Sequence, residues 1–206
     1  MRLEYEFVFS ALILIACLIP LYLKRKQIKQ YFTQKSDTKD LVKEIKIYFQ
    51  TVHPLINLDY AIVEKTRNEQ NSDVRDIEII EDLVSQYAHA DIKIETPTGV
   101  NKDSLWGTYD ILCIPQKDKL PKDLAMRKEL VFKRDHAKCK RCGKSITLNN
   151  SYLHFLRNIA EGGTYHVENL VTVCSDCNKI LKSTNLAKTI DTLEAFDHLI
   201  SKIHNQ

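Results

Sequence analysis

The chain has 206 residues, a formal net charge of +3 and a sequence pI near 8.4. That length holds one or two small domains, and 44% hydrophobic residues make a packed core feasible. The slight basic excess permits a nucleic-acid or anionic-lipid partner without demanding one. Four of the six cysteines stand in two C-x-x-C pairs, which excludes a disulfide framework in favour of metal binding.

Phe7 to Leu23 (FVFSALILIACLIPLYL) run without a charge, and Lys24, Arg25 and Lys26 follow at once. The run is at the short end of the roughly 17–25 residues that span a bilayer. Its basic flank predicts that the C-terminal side is cytoplasmic. The acids Glu4 and Glu6 before it, and the basic cluster after it, argue against a cleaved export signal. The expectation is a single-pass membrane protein with residues 1–23 as anchor, membrane lipid as one partner and the C-terminal domain cytoplasmic. Residues 24–36 then form a basic linker.

Residues 37–118 read as a small α+β region of unknown role. A helix is predicted from Asp37 to about Gln50, with Leu41, Ile45 and Tyr48 on one face. Leu55 to Val63 alternates loosely and suggests a strand. A second helix follows Ser72 or Asp73, with Val74, Ile77, Ile80, Val84 and Tyr87 at helical spacing. Thr108 to Ile114 has the β-branched and aromatic content of a strand. His53 and His89 are isolated and read as surface or capping histidines. Cys17 and Cys113 sit in apolar runs and read as small buried hydrophobes.

Residues 119–206 are expected to form the second domain. Lys119 to Asp135 reads as a basic helix with a short lead-in and Pro121 at its first position. Cys139-x-x-Cys142 and Cys174-x-x-Cys177 follow. Two residues between cysteines let both thiolates of one turn face the same ion. Two such turns close a tetrahedral shell with no open position, which makes the metal structural zinc. From Leu186 to Ile203 apolar residues recur at spacings of three and four, predicting one amphipathic helix docked on the rest.

The pattern Arg127…Val131…Lys133-Arg134-Asp135…Cys139-x-x-Cys142-Gly143, then Gly162-Gly163-Thr164…Glu168-Asn169-Leu170…Cys174-x-x-Cys177-Asn178, resembles the HNH endonucleases. The likeness covers about Pro121 to Lys182 and implies a ββα-metal fold. It also implies metal-dependent hydrolysis of DNA, with magnesium, manganese or a similar divalent ion. In the family the first strand carries a metal ligand followed by a histidine base, a middle asparagine orients the base, and a helix residue is a further ligand. Asn169 matches the middle asparagine and Asn178 the helix position. Counting back from Gly162-Gly163, His154 falls on the metal-ligand position and Phe155 on the base. Phenylalanine can neither take a proton nor bind a metal. Three readings stay open: a one-residue shift makes His154 the base, His166 replaces it, or the domain binds without cutting.

Phosphate contacts come first in nucleic-acid binding. Lys140, Arg141, Arg157, Lys179 and Lys182 cluster around the cysteine pairs and are the candidate contacts. The expected architecture is therefore α+β: a transmembrane helix, a small α+β region and a C-terminal HNH-like zinc domain with a terminal helix. Its expected function is a membrane-anchored DNA endonuclease whose catalytic residues are His154, Asn169 and Asn178. The alternative is a catalytically degenerate zinc module that binds nucleic acid or a protein partner.

Overall fold

The computed structural model describes residues 38–204, apart from 92, 93, 96, 117 and 118. Seven α-helices and one two-stranded antiparallel sheet are present among them: α1 (Thr38–Val52), α2 (Ile62–Lys65), α3 (Ser72–His89), α4 (Leu124–Arg134), β1 (Tyr152–Phe155), β2 (Leu170–Val173), α5 (Ser175–Lys182), α6 (Leu186–Ile190) and α7 (Glu194–His204).

In α1, Leu41, Ile45 and Phe49 form an i, i+4, i+8 stripe that is almost wholly buried. The half-buried Tyr48 lies beside that stripe. In α3 the buried face is Ile79, Ile80, Leu83, Val84 and Tyr87, so Val74 and Ile77 are turned outward. Asn71 caps α3: its side-chain oxygen accepts the Asp73 N–H at 3.0 Å. These stripes share one core with all four paired cysteines and with Leu193, Ala195 and Leu199. A second core gathers Tyr109, Cys113, Val131, Val167 and Leu170, with Trp106, Leu153 and Phe155 against it.

Both expected strands in the middle region fold differently. Residues 55–63 form turns and α2, beginning with the Ile56 N–H on the His53 carbonyl at 2.9 Å. Residues 108–114 form turns and a 3-10 helix (Ile111–Cys113). Burial there falls on Tyr109 and Cys113, four apart, while Ile111 and Ile114 are 72% and 70% exposed. That is a helical rather than an alternating pattern, and β-branched composition did not override it. Helix α4 begins at Leu124, three residues after Pro121, whose carbonyl accepts the Leu124 N–H at 3.1 Å. The predicted terminal helix is broken into α6 and α7. The buried carboxylate of Asp176 causes the break by accepting the N–H groups of Glu194 (2.8 Å) and Ala195 (3.1 Å), which starts a new helix there.

The single-pass membrane architecture and the localisation drawn from it are corrected here. No helix among the described residues is long and apolar enough to cross a membrane. The segment expected to do so, residues 7–23, lies outside the described residues, as do the linker 24–36 and Cys17. The fold described is α+β, with a single small sheet.

Candidate metal centre and hairpin site

The first cysteine pair sits in a tight turn. The Cys139 N–H bonds the Lys144 carbonyl and the Gly143 N–H bonds the Cys139 carbonyl, both at 2.8 Å. Gly143 has φ +83°, and a Cβ there would lie 2.8 Å from Pro54. Glycine is therefore required by conformation and by space. The second pair opens α5, with Cys174 at its N-cap. The four sulfurs lie within 4.8 Å of one another, and Cys142 and Cys174 are 3.8 Å apart. A tetrahedron of Zn–S bonds about 2.3 Å long has edges of about 3.8 Å, so the residues fit zinc.

The electrostatics agree. Cys139 is driven far below the usual thiol range by hydrogen bonding with its neighbours, Cys142 first, while Cys142 and Cys174 are driven far above it, Cys139 first. Four buried thiols cannot all ionise without a cation among them. Outside the shell, the Tyr87 hydroxyl meets the Cys177 sulfur at 3.5 Å and Arg141 Nη1 donates to it at 3.6 Å. These groups orient the ligand and offset its charge. His53 is also buried beside this centre, with its ring against Tyr48, Phe49 and Tyr87. Burial, together with Lys144, pushes its pKa down to about 4. It is thus a core residue rather than the expected surface histidine.

The hairpin pairs His154 with Val171 and Phe155 with Leu170. Alternation along β1 then sends the two side chains to opposite faces. Phe155 packs against the second core, its ring 5.5 Å from that of Tyr165. His154 is half-buried on the other face, toward α5. Its pKa is lowered by burial first and by the Lys182 charge second, so its ring nitrogens stay unprotonated more readily than usual. Lys182 is on α5, and Asn178 shares its face of the helix at i, i+4.

Asn169 immediately precedes β2 and clamps the long β1–β2 connection. Its Oδ1 accepts the Arg157 N–H at 2.8 Å, and its Nδ2 donates to the carbonyls of Arg157 and Thr164, both at 2.9 Å. Gly163 closes the same loop. A Cβ there would lie 2.0 Å from the Arg157 carbonyl oxygen, which no larger residue permits.

The five expected phosphate contacts separate. Arg157 and Lys182 are exposed and Lys140 is half-buried. Arg141 is 3% exposed and is removed from that surface, since Nη2 donates to the carbonyls of Tyr87, Ala88 and Ala90 at the C-terminus of α3. Lys179 is half-buried, and its ammonium group is bonded to the Thr192 carbonyl.

One residue of the basic helix, not among the expected site residues, is central. Arg127 is fully buried, and its guanidinium makes five donations: two to Asp123 (2.9 and 2.8 Å), and one each to the Tyr109 carbonyl (2.8 Å), the Tyr165 carbonyl (2.6 Å) and the Cys113 sulfur (3.0 Å). The i, i+4 spacing of Asp123 and Arg127 was the available signal. Asp135 is similar: its carboxylate accepts the backbone N–H and the hydroxyl of Thr172, fastening α4 to β2.

The family model described as HNH endonuclease matches residues 139–184. The four-cysteine cluster in and around this segment is consistent with a zinc-binding HNH domain of the ββα-metal fold. The match points to nuclease or nucleic-acid-binding activity. The searches of curated proteins and of solved structures return no match.

Proposed function

We propose that this chain binds DNA through its HNH domain and hydrolyses the phosphodiester backbone with a divalent metal. The observation that carries the reading is the placement of His154 on the β1 face turned toward α5, the helix that bears Asn178 and Lys182. A depressed imidazole pKa keeps a nitrogen lone pair available near neutral pH, as a ligand or a base requires. In this reading His154 and Asn178 would hold the divalent ion, with water filling the rest of its shell. Such an ion, when bound, polarises a phosphoryl oxygen and stabilises charge on the leaving oxygen.

The chain's own groups do the rest. Asn169 holds the connection after β1 in one conformation and so sets the strand that carries His154. Lys182 and Arg157 are exposed cations for phosphate. Zinc keeps α5 at a fixed angle to the hairpin. Residues 119–206 are the working unit in this reading, and residues 37–118 brace it from both cores.

Phe155 favours a second reading, that of a module that binds nucleic acid without cutting it. Its ring is committed to the core beside Tyr165, so the family's base position holds no proton acceptor. A plasmid-nicking assay separates the two. The full chain, zinc-loaded and shown to be folded by circular dichroism, is incubated with plasmid and added magnesium or manganese, beside a His154→Ala control. Metal-dependent nicking that disappears in the control supports the nuclease. Salt-sensitive DNA binding with no nicking supports the second reading.

A further inference from the structure

A second cluster of metal-ligating side chains lies away from the zinc staple and the hairpin site. Asp110, Cys113 and His166 each offer one ligand atom, and these atoms lie within 4.8 Å of one another. We propose that they form a second transition-metal site, for a divalent ion of the zinc or cobalt type, where residues 105–113 meet the β1–β2 connection.

The donors are placed by the fold. Asp110 and Cys113 flank one 3-10 turn, whose i, i+3 geometry stacks side chains on one edge. The Cys113 N–H to Asp110 carbonyl bond at 3.2 Å holds that turn closed. The Cys113 carbonyl in turn accepts the Tyr165 N–H at 2.9 Å, which pins the turn beside the residue preceding His166. Tyr109 positions the histidine from below: its hydroxyl is 3.4 Å from His166 Nδ1 and accepts the Val167 N–H at 3.0 Å. Histidine ligands are usually oriented by such a partner.

The chemistry is suited to a borderline-soft cation. One thiolate, one imidazole and one carboxylate make a mixed S, N, O set, which zinc and its neighbours accept and magnesium or calcium do not. Arg127 Nη1 donates to the Cys113 sulfur at 3.0 Å, which fixes where that ligand atom sits. The Arg127 charge is already matched by Asp123, so it does not add a net repulsive charge. The sulfur is buried while Asp110 and His166 face solvent, so an ion enters from the outer side. Three protein ligands leave a fourth position open, unlike the closed staple. An ion held here would tie the middle region to the same connection that Asn169 clamps.

The proposal does not rest on the nuclease reading. It is tested by zinc titration of the full chain, with bound metal counted by mass spectrometry after removal of loose ions. Two zinc ions per chain are expected in the wild type and one in His166→Gln and in Cys113→Ser. His166 is exposed, so its replacement leaves the core intact even if Cys113→Ser fails to fold. One zinc in the wild type, or two retained in His166→Gln, overturns the proposal. So does loss of the second ion in His154→Ala with retention in His166→Gln, since that places it at the hairpin.

Discussion

Arg127→Met retains much of the aliphatic stem and removes the guanidinium. The structure then leaves Asp123, whose side chain is 5% exposed, with the indole N–H of Trp106 at 2.7 Å as its remaining strong donor. Burial alone raises the Asp123 pKa, and the bonds from Arg127 and Trp106 override that and hold it below the usual carboxylate range. Two carbonyls, of Tyr109 and Tyr165, lose their donor as well. Removing one partner of a buried ion pair costs about 3–5 kcal/mol. Against a typical domain stability of about 5–15 kcal/mol, this is a large fraction. Urea unfolding of zinc-saturated full-length protein, followed by circular dichroism, measures it from the midpoint at unchanged slope. Arg127→Lys should fall between wild type and Arg127→Met, since one ammonium cannot reproduce a planar fork of five donations. The double variant Asp123→Asn, Arg127→Met should lose less than the sum of its parts, by about 0.5–3 kcal/mol. A loss below about 0.5 kcal/mol, the level of an ordinary surface substitution, would refute the keystone role.

Asn169→Ala removes three hydrogen bonds to the β1–β2 connection and should cost about 2 kcal/mol in urea unfolding, from roughly 0.5–1.5 per bond with partial exposure. Nicking should fall with it, even where the protein remains folded. Gly163→Ala should be worse than Asn169→Ala, because the clash is with backbone rather than with a movable side chain. The depressed His154 pKa means the unfolded chain binds the proton first, so stability falls as pH drops through the ordinary histidine range near 6.5 toward the folded value. Lys182→Gln should raise the His154 pKa only part of the way back, because burial is the larger cause; ring NMR titration reads this directly. His53→Phe at saturating zinc should lose less stability between pH 7 and 5 than the wild type, since the unfolded histidine takes up a proton there that the buried ring refuses.

The four-cysteine cluster was legible from spacing alone. Two C-x-x-C turns specify four sulfurs, and any fold that brings them together must make the same tetrahedron. Helices α1 and α3 were legible for a similar reason: their apolar period is local and survives in any surroundings. The strands expected at 55–63 and 108–114 failed because β-branched composition records a preference for half-buried surface, and among the described residues those segments have no neighbouring strand.

The site residues divide along the same line. Sequence placed His154, Asn169 and Asn178 on a family pattern. It did not decide which way His154 and Phe155 point, because that follows from pairing Phe155 with Leu170 across the hairpin. Nor did it tell a surface cation from a buried one: Arg127 and Arg157 read alike as letters. Arg127 became a core residue because Asp123, two carbonyls and a sulfur converge on it from segments up to 38 positions away, whereas Arg157 stayed exposed. Metal-ligand spacing and helical period are written in neighbouring residues. The burial of a charge is decided by which distant groups arrive to satisfy it.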